Sequence, residues 1–196
     1  GDKDTMLLAI NIQNSTITLG CFDEAAKLHA VAHIATESRH TADQYACQIE
    51  SVLRLRGFVP AEMHGAVLCS VVPILSAVIQ EAVEMLCCCE VVNVSSGVKT
   101  GLSIQTDNPR ALGSDLVCVA VEAAALGRLP ALVVDMNTAT TFTALNARGV
   151  LAGSIIAPGI QIGLDALHEK AAQLPSISLN RKTVRPLGKN TVDAMA

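Results

Sequence analysis

The sequence has no tryptophan, one tyrosine and three phenylalanines, so aromatic residues make up 2% of its 196 positions. Yet 51% of the residues are hydrophobic and the mean hydropathy is +0.43. The core must therefore be built of Ala, Val, Leu and Ile. That palette suits strands buried on both faces with Ala-rich helices packed closely on them. The length allows one large domain or two small ones. An excess of positive charge is also missing. Fourteen Lys and Arg stand against eighteen Asp and Glu, the formal charge is −4 and the basic residues are scattered, so no nucleic-acid partner is expected.

No two cysteines have the C-x-x-C spacing of a zinc site, and the five histidines show no metal spacing. The seven cysteines lie in apolar segments (Cys21, Cys47, Cys69, Cys118) or in the run Cys87-Cys88-Cys89. They read as small hydrophobes in a reducing cytosol rather than as a disulfide framework. No uninterrupted run of 18 apolar residues exists, so no membrane span is expected. No secretory segment opens the chain, Gly1 to Thr5 read as a cloning scar or frayed start, and a cytoplasmic location is expected.

What is present is β-rich at the start. Met6–Ile12, Ile17–Phe22 and Leu28–Thr36 read as three strands joined by short turns. Thr41 and Gln44 form a capping box for a helix whose apolar stripe is Tyr45, Ala46, Ile49, Val52 and Leu53, with Gly57 as its stop. A strand over Ala66–Val71, a helix from Pro73 to about Leu86 and a strand over Glu90–Val94 follow. The Gly-, Ser-, Asn- and Pro-rich stretch "SSGVKTGLSIQTDNPRALGSD" is the best domain junction. Beyond it the pattern predicts a helix over about Ala111 to Leu126 and strands over Ala131–Met136, Thr141–Asn146 and Val150–Ile156. A last helix carries the stripe Ile160, Leu164, Leu167, Ala171 and Leu174, and Pro175 to Ala196 reads as loop.

The second half repeats the first. "LLAINIQNSTITL" aligns with "ALVVDMNTATTFT", placing Asn11 on Asp135, Gln13 on Asn137, Asn14 on Thr138 and Thr16 on Thr140. Two strands with polar tips in equivalent places suggest two facing lobes with a cleft between them. At the second tip, Asp135 ends a buried strand, where a lone carboxylate is costly. With Thr138, Thr140 and Thr141 it could hold a phosphate or a hydrated cation. A Thr-rich hairpin with an Asx turn fits the same residues. At the first tip, Asn11 can accept a hydrogen bond but brings no charge to a metal. Asp115 opens the Ala-rich helix just after Gly113. It could take a proton from a substrate hydroxyl, or it could be a helix-start carboxylate favoured by the macrodipole. Leu116 falls on the apolar series of that helix.

Long motifs bring these residues together: "LLAINIQNSTITLGCFD", "TADQYA", "SVVP", "GVKTGLSIQTDNPRALGSD", "VVDMNTATTF", "GSIIAPGIQIGLDAL" and "GKNTVDAM". Through them the chain resembles type III pantothenate kinases, the Bvg accessory factor (Baf) family, within the actin and sugar-kinase superfamily. The resemblance implies an α/β fold of two duplicated ribonuclease-H-like lobes, each a mixed sheet flanked by helices. The lobes would cover residues 1–110 and 111–196, the second shorter than in the family, its open sheet covered by further chain or by a dimer partner. The implied reaction is transfer of the ATP γ-phosphate to the pantothenate hydroxyl, the first step of coenzyme A synthesis. It brings Mg²⁺, a monovalent cation (K⁺ or NH₄⁺) and a homodimer with a shared site.

Position by position, the family's first loop, D-x-G-N-T, has Asn11 at the Mg²⁺ aspartate, Gln13 at the glycine, and Asn14 and Ser15 at the phosphate-binding positions. The second, D-x-G-T-A-T-T, has Asp135 at the monovalent cation, Asn137 at the glycine, and Thr138, Thr140 and Thr141 toward phosphate. Thr140 also faces the substrate there. The substrate motif, G-x-D-R, keeps Gly113 and Asp115, the implied general base, but has Leu116 for the arginine. Leucine cannot grip a carboxylate as arginine does. A charge-assisted hydrogen bond is worth roughly 1.5–3 kcal/mol, so each loss weakens binding by about ten- to a hundredfold. Two readings follow: a kinase, weakened at these positions, or a non-catalytic relative with a Baf-type transcriptional accessory or binding role.

Overall fold

The computed structural model of the protein describes residues 5–95, 98–177 and 187–195. Its first sheet begins with β1 (Met6–Ile12), whose alternate residues Leu8, Ile10 and Ile12 are fully buried. Antiparallel β2 (Thr16–Asp23) and β3 (Leu28–Ala35) extend it on one side. The turn into β3 is an Asx turn: the Asp23 carboxylate accepts from the backbone N–H groups of Ala25 (3.0 Å) and Lys27 (2.9 Å).

Helix α1 (Ala42–Leu55) starts at the expected capping box. Gln44 N–H donates to Thr41 Oγ1 at 3.3 Å, and Thr41 N–H to Gln44 Oε1 at 2.9 Å. Its buried residues Tyr45, Ala46, Ile49 and Leu53 are four of the five in the predicted stripe. The chain leaves through Gly57 at φ +85°, the left-handed conformation glycine adopts without strain. Strand β4 (Met63–Ser70) runs parallel to β1, as a helical crossover requires. Helix α2 (Pro73–Cys87) opens on a proline at its first position and leads to parallel β5 (Val91–Asn93). The sheet order is β3-β2-β1-β4-β5, the ribonuclease-H-like topology expected for a lobe of this class. Leu8, Ile10, Ile12, Leu68, Tyr45, Ile49, Leu75 and Ile79 meet in one core.

Helix α3 (Ser114–Ala125) follows the junction. Then β6 (Ala131–Met136), β7 (Ala139–Leu145) and β8 (Leu151–Pro158) form a three-stranded antiparallel meander, repeating β1-β2-β3. Helix α4 (Ile160–Lys170) comes next, and α5 (Thr191–Met195) is the last element. The chain divides into two compact units, residues 1–102 with 107–122 and residues 103–106 with 123–196. The junction is thus threaded. Ser103 and Gln105 bond to Leu151 of β8 at 2.9 Å each, and the stretch from Asp107 returns to the first unit.

Three expectations are corrected. The α4 stripe is mostly open: only Leu164 is buried, Ile160 and Leu167 are exposed, and Ala171 and Leu174 lie beyond the helix. Periodicity marks the side a helix can bury, but burial needs an opposing surface. The tail is not all loop, because Asn190 caps α5 by accepting from Asp193 N–H at 2.9 Å. Residues 178–186 and 196 of that tail, and residues 96–97 of the junction, lie outside the described residues. The ungapped repeat also slips past the tips. Asn11 pairs with Thr18 across its hairpin, whereas Asp135 pairs with Thr141, so the second tip is one residue shorter. One residue of slip reverses which side chains share a face.

Tyr45 supplies a test of the first core. It is fully buried, and its hydroxyl donates to Glu37 O (2.9 Å) while accepting from Glu37 N–H (2.8 Å). Its ring meets His40 edge-on at 5.3 Å, and His40 Nδ1 lies 3.4 Å from Gln48 Nε2, so His40 serves structure. Tyr45→Phe should keep the packing and lose both bonds, costing roughly 1–2 kcal/mol in urea unfolding with an unchanged m-value. An unaltered midpoint would show that Glu37 is not held by Tyr45.

Candidate functional site

In the first unit the polar tip follows β1 directly. Gln13 N–H donates to Thr16 O at 3.0 Å and closes the turn. The end of β3 braces it: Thr36 Oγ1 donates to Gln13 O at 2.7 Å and Thr36 N–H to Ser15 O at 3.2 Å. Asn14 and Ser15 are left exposed at the apex. Asn11 lies on the β1 face opposite Leu8, Ile10 and Ile12, between Thr18 on β2 and Cys69 on β4. Its Oδ1 is out of solvent and accepts no protein hydrogen bond. A buried acceptor without a donor costs about 1–3 kcal/mol, so this atom calls for a partner.

Asp115 is brought to the same end of the sheet. Ser114 Oγ donates to Ser70 O at 3.0 Å and accepts from Cys69 Sγ at 3.3 Å, tying the start of α3 to the last residues of β4. Because Cys69 is the β4 partner of Asn11, this tie sets the start of α3 at the strand end that carries Asn11. Asp115 is half-buried in the first turn of α3, and its carboxylate folds back over Gly113. A Cβ at residue 113 would fall on Asp115 Oδ1, so a side chain there would make the carboxylate turn aside. Leu116 is 5% exposed and faces inward with Val117 and Ala120. Packing therefore accounts for leucine there, and it offers nothing to a ligand carboxylate.

The thiols of Cys69 and Cys118 interact beside Asp115. The Cys118 contact holds the Cys69 thiol down to about 7, with help from Ser114 and against the effects of burial and the Asp115 charge. The same contact and burial raise Cys118. From the sequence alone both read as small hydrophobes. Their meeting depends on the β4–α3 approach, for which the local pattern carries no signal.

In the second unit Asp135 is the last residue but one of β6, and the buried strand expected around it is not found, since β6 alternates between half-buried and exposed residues. Its carboxylate accepts from Asn137 Nδ2 at both oxygens, 2.8 Å at Oδ1 and 2.9 Å at Oδ2. Thr141 pairs directly with Asp135 and shares its face, as does Thr143 two residues on. Both Thr side chains are buried, and neither Oγ1 has a protein partner. Thr140 pairs with Met136 and faces the other way, so the arrangement joins Thr141 but not Thr140 to the Asp135 side. Thr138 is exposed at the apex. The tip rests on the start of α4: Gly159 N–H donates to Thr138 O at 3.0 Å, and a Cβ at residue 159 would strike the carbonyl oxygens of Asn137 and Thr138. The "PG" pair before α4 was the available signal for this contact.

These donors can be tested against the implied ions. Asn11 Oδ1 fits a hydrated Mg²⁺ in the outer shell, since a neutral acceptor can receive a metal-bound water's proton and Mg²⁺ keeps several waters. Asp135 does not fit a monovalent cation as it stands, because one amide NH₂ faces both carboxylate oxygens. A cavity of about 260 Å³ lies at the opposite end of the first sheet, lined by Met6, Phe58, Met63 and His64, remote in sequence register from Asn11 and Cys69. Among the described residues no cluster of three or more His, Cys, Asp or Glu could hold a metal, and no helix is long and apolar enough to cross a membrane.

The chain is similar to curated proteins named type III pantothenate kinase. One from Rhodospirillum centenum is 38% identical over 191 residues, 97% of this chain and 72% of that protein. One from Moorella thermoacetica is 40% identical over 190 residues, 97% of this chain and 74% of that protein. Among solved structures, the activator of the 2-hydroxyisocaproyl-CoA dehydratase from Clostridium difficile with bound ADPNP superposes with a TM-score of 0.49 at 12% identity, covering 97% of this chain and 63% of that one. The family model for type III pantothenate kinase matches residues 7–196. With that match spanning nearly the whole sequence, the chain belongs to the type III pantothenate kinase family.

Proposed function

We propose that this protein is an ATP-dependent phosphotransferase acting on pantothenate in coenzyme A synthesis. Family membership supports the reaction class. The observation that carries the reading is the tie of Ser114 to β4, which holds Asp115 at the strand end bearing Asn11. In the step itself, Asp115 accepts the proton of the pantothenate primary hydroxyl as that oxygen bonds to the γ-phosphorus. The bond from γ-phosphorus to the bridging oxygen breaks, and ADP leaves with the electron pair. Asn14 and Ser15 at one tip, and Thr138 and Thr141 at the other, are the proposed phosphate-binding side chains, with Thr140 and Gly113 toward the substrate. Mg²⁺ when bound would offset phosphate charge, with Asn11 holding it through a metal-bound water. A cytoplasmic location accords with this substrate class.

A homodimer belongs to the same reading. Leu132, Val134 and Met136 of β6 and Ile155 of β8 are exposed, and register puts Val134 and Ile155 on one sheet face. An apolar strip of this kind favours cover by other protein surface. The second reading, a non-catalytic relative with a Baf-type accessory role, is favoured by two observations: Leu116 is buried where the motif carries arginine, and Asn137 engages Asp135.

Asp115→Asn separates the two. On the kinase reading it lowers kcat for pantothenate-dependent ADP release by about 10²–10⁴-fold with little change in KM. Native protein with no turnover, or a variant equal to it, would favour the non-catalytic reading. Gly159→Ala tests the second tip. The added methyl must displace the tip carbonyls, so nucleotide affinity should fall by up to about a hundredfold while circular dichroism is retained. Unchanged affinity in isothermal calorimetry would remove that tip from the nucleotide site.

A further inference from the structure

We propose that Asn137 stands in for a monovalent cation at Asp135, so that this protein works without potassium or ammonium. The inference rests on the phosphotransferase reading only for its effect on nucleotide binding. The geometry itself is independent of it. Asn137 Nδ2 is almost equidistant from the two Asp135 oxygens, 2.8 and 2.9 Å, which is the bisecting position a large monovalent ion takes on a carboxylate. One N–H of the amide is shared between both oxygens, and its second proton points away from the carboxylate.

The backbone fixes Asn137 in that position from two sides. Its N–H donates to Ala139 O at 2.9 Å and closes the hairpin turn, and its carbonyl oxygen lies where a Cβ at residue 159 would fall. Asp135 is fixed in turn by its register with Thr141. The two backbones are thus held by turn and register, and the pair forms through the side-chain torsions of Asp135 and Asn137. A cation that bound the same bisecting position would have to displace the amide and pay its lost hydrogen bonds. An amide orients the carboxylate as an ion would but brings no net charge to it. A glycine at residue 137 would have no such donor and would leave both oxygens open to an ion.

The test uses the full chain and two probes. Thallium(I), a potassium mimic followed by ²⁰⁵Tl resonance, reports on the ion position without any nucleotide. Calorimetric titration with ATP and Mg²⁺, in potassium chloride and in choline chloride, reports on the linkage. The native protein is expected to show no saturable thallium binding that potassium competes away, and to bind ATP equally within about twofold in the two salts. Asn137→Gly should gain saturable thallium binding and bind ATP at least about tenfold more tightly in potassium, which is the about 1.4 kcal/mol of coupling a new ion site would supply. Asn137→Ala, which keeps a side chain in the turn, should behave as the glycine variant and guards against a fold lost to glycine. Potassium-competed thallium binding to the native protein, or potassium-dependent ATP binding by it, would overturn the proposal. So would absence of thallium binding in both variants, since the amide would then not be what keeps the ion out. Failure of every protein to bind ATP in either salt would count against the phosphotransferase reading, while the thallium result would still decide the role of Asn137.

Discussion

The parallel pairing of β1 with β4 is the constraint on which the first unit depends. It sets Ile10 beside Leu68 and Asn11 beside Cys69, so one face of the pair is core and the other carries the polar end. The candidate residues of the first unit hang from that register. Asn11 Oδ1 is out of solvent because its strand is central, and Ser114 finds Ser70 because β4 ends beside β1. Asp115 then inherits its place from Ser114, one residue earlier in the same helix. A slip of one residue in this pairing would turn Asn11 into the core and Ile10 out of it.

The second unit repeats the meander with a different solution at its tip. The shorter turn pairs Asp135 with Thr141, and the amide of Asn137 fills the space between the Asp135 oxygens. Both tips thus carry an amide side chain, Asn11 with an unpartnered buried oxygen and Asn137 on the Asp135 carboxylate. On the proposed reading, each amide supplies hydrogen-bonding groups but no ionic charge at its tip.

Features fixed by near neighbours were legible in the sequence. Thr41 and Gln44 announced α1 because a capping box is complete within four residues. The alternation of β1 named its buried face, and Gly57 named the end of α1. Features that need a distant partner were not legible. The stripe on α4 stays open because no described element covers Ile160 or Leu167. Thr140 looked equivalent to Thr141 until the register put them on opposite faces. Ser114, Cys69 and Cys118 carried no motif, since their meeting joins β4 to α3 across more than forty residues of chain. Asn137 was visible as a departure from glycine, but its bond to Asp135 required the folded turn.

The proposal that most needs testing is that this chain, with amides at Asn11 and Asn137, passes the ATP γ-phosphate to pantothenate. The most direct measurement is ³¹P resonance of the native protein with ATP, Mg²⁺ and pantothenate in a buffer free of potassium and ammonium. The account predicts a growing phosphomonoester signal matched by ADP and absent without pantothenate. ATP signals that stay constant over many hours, or that decay equally without pantothenate, would contradict it.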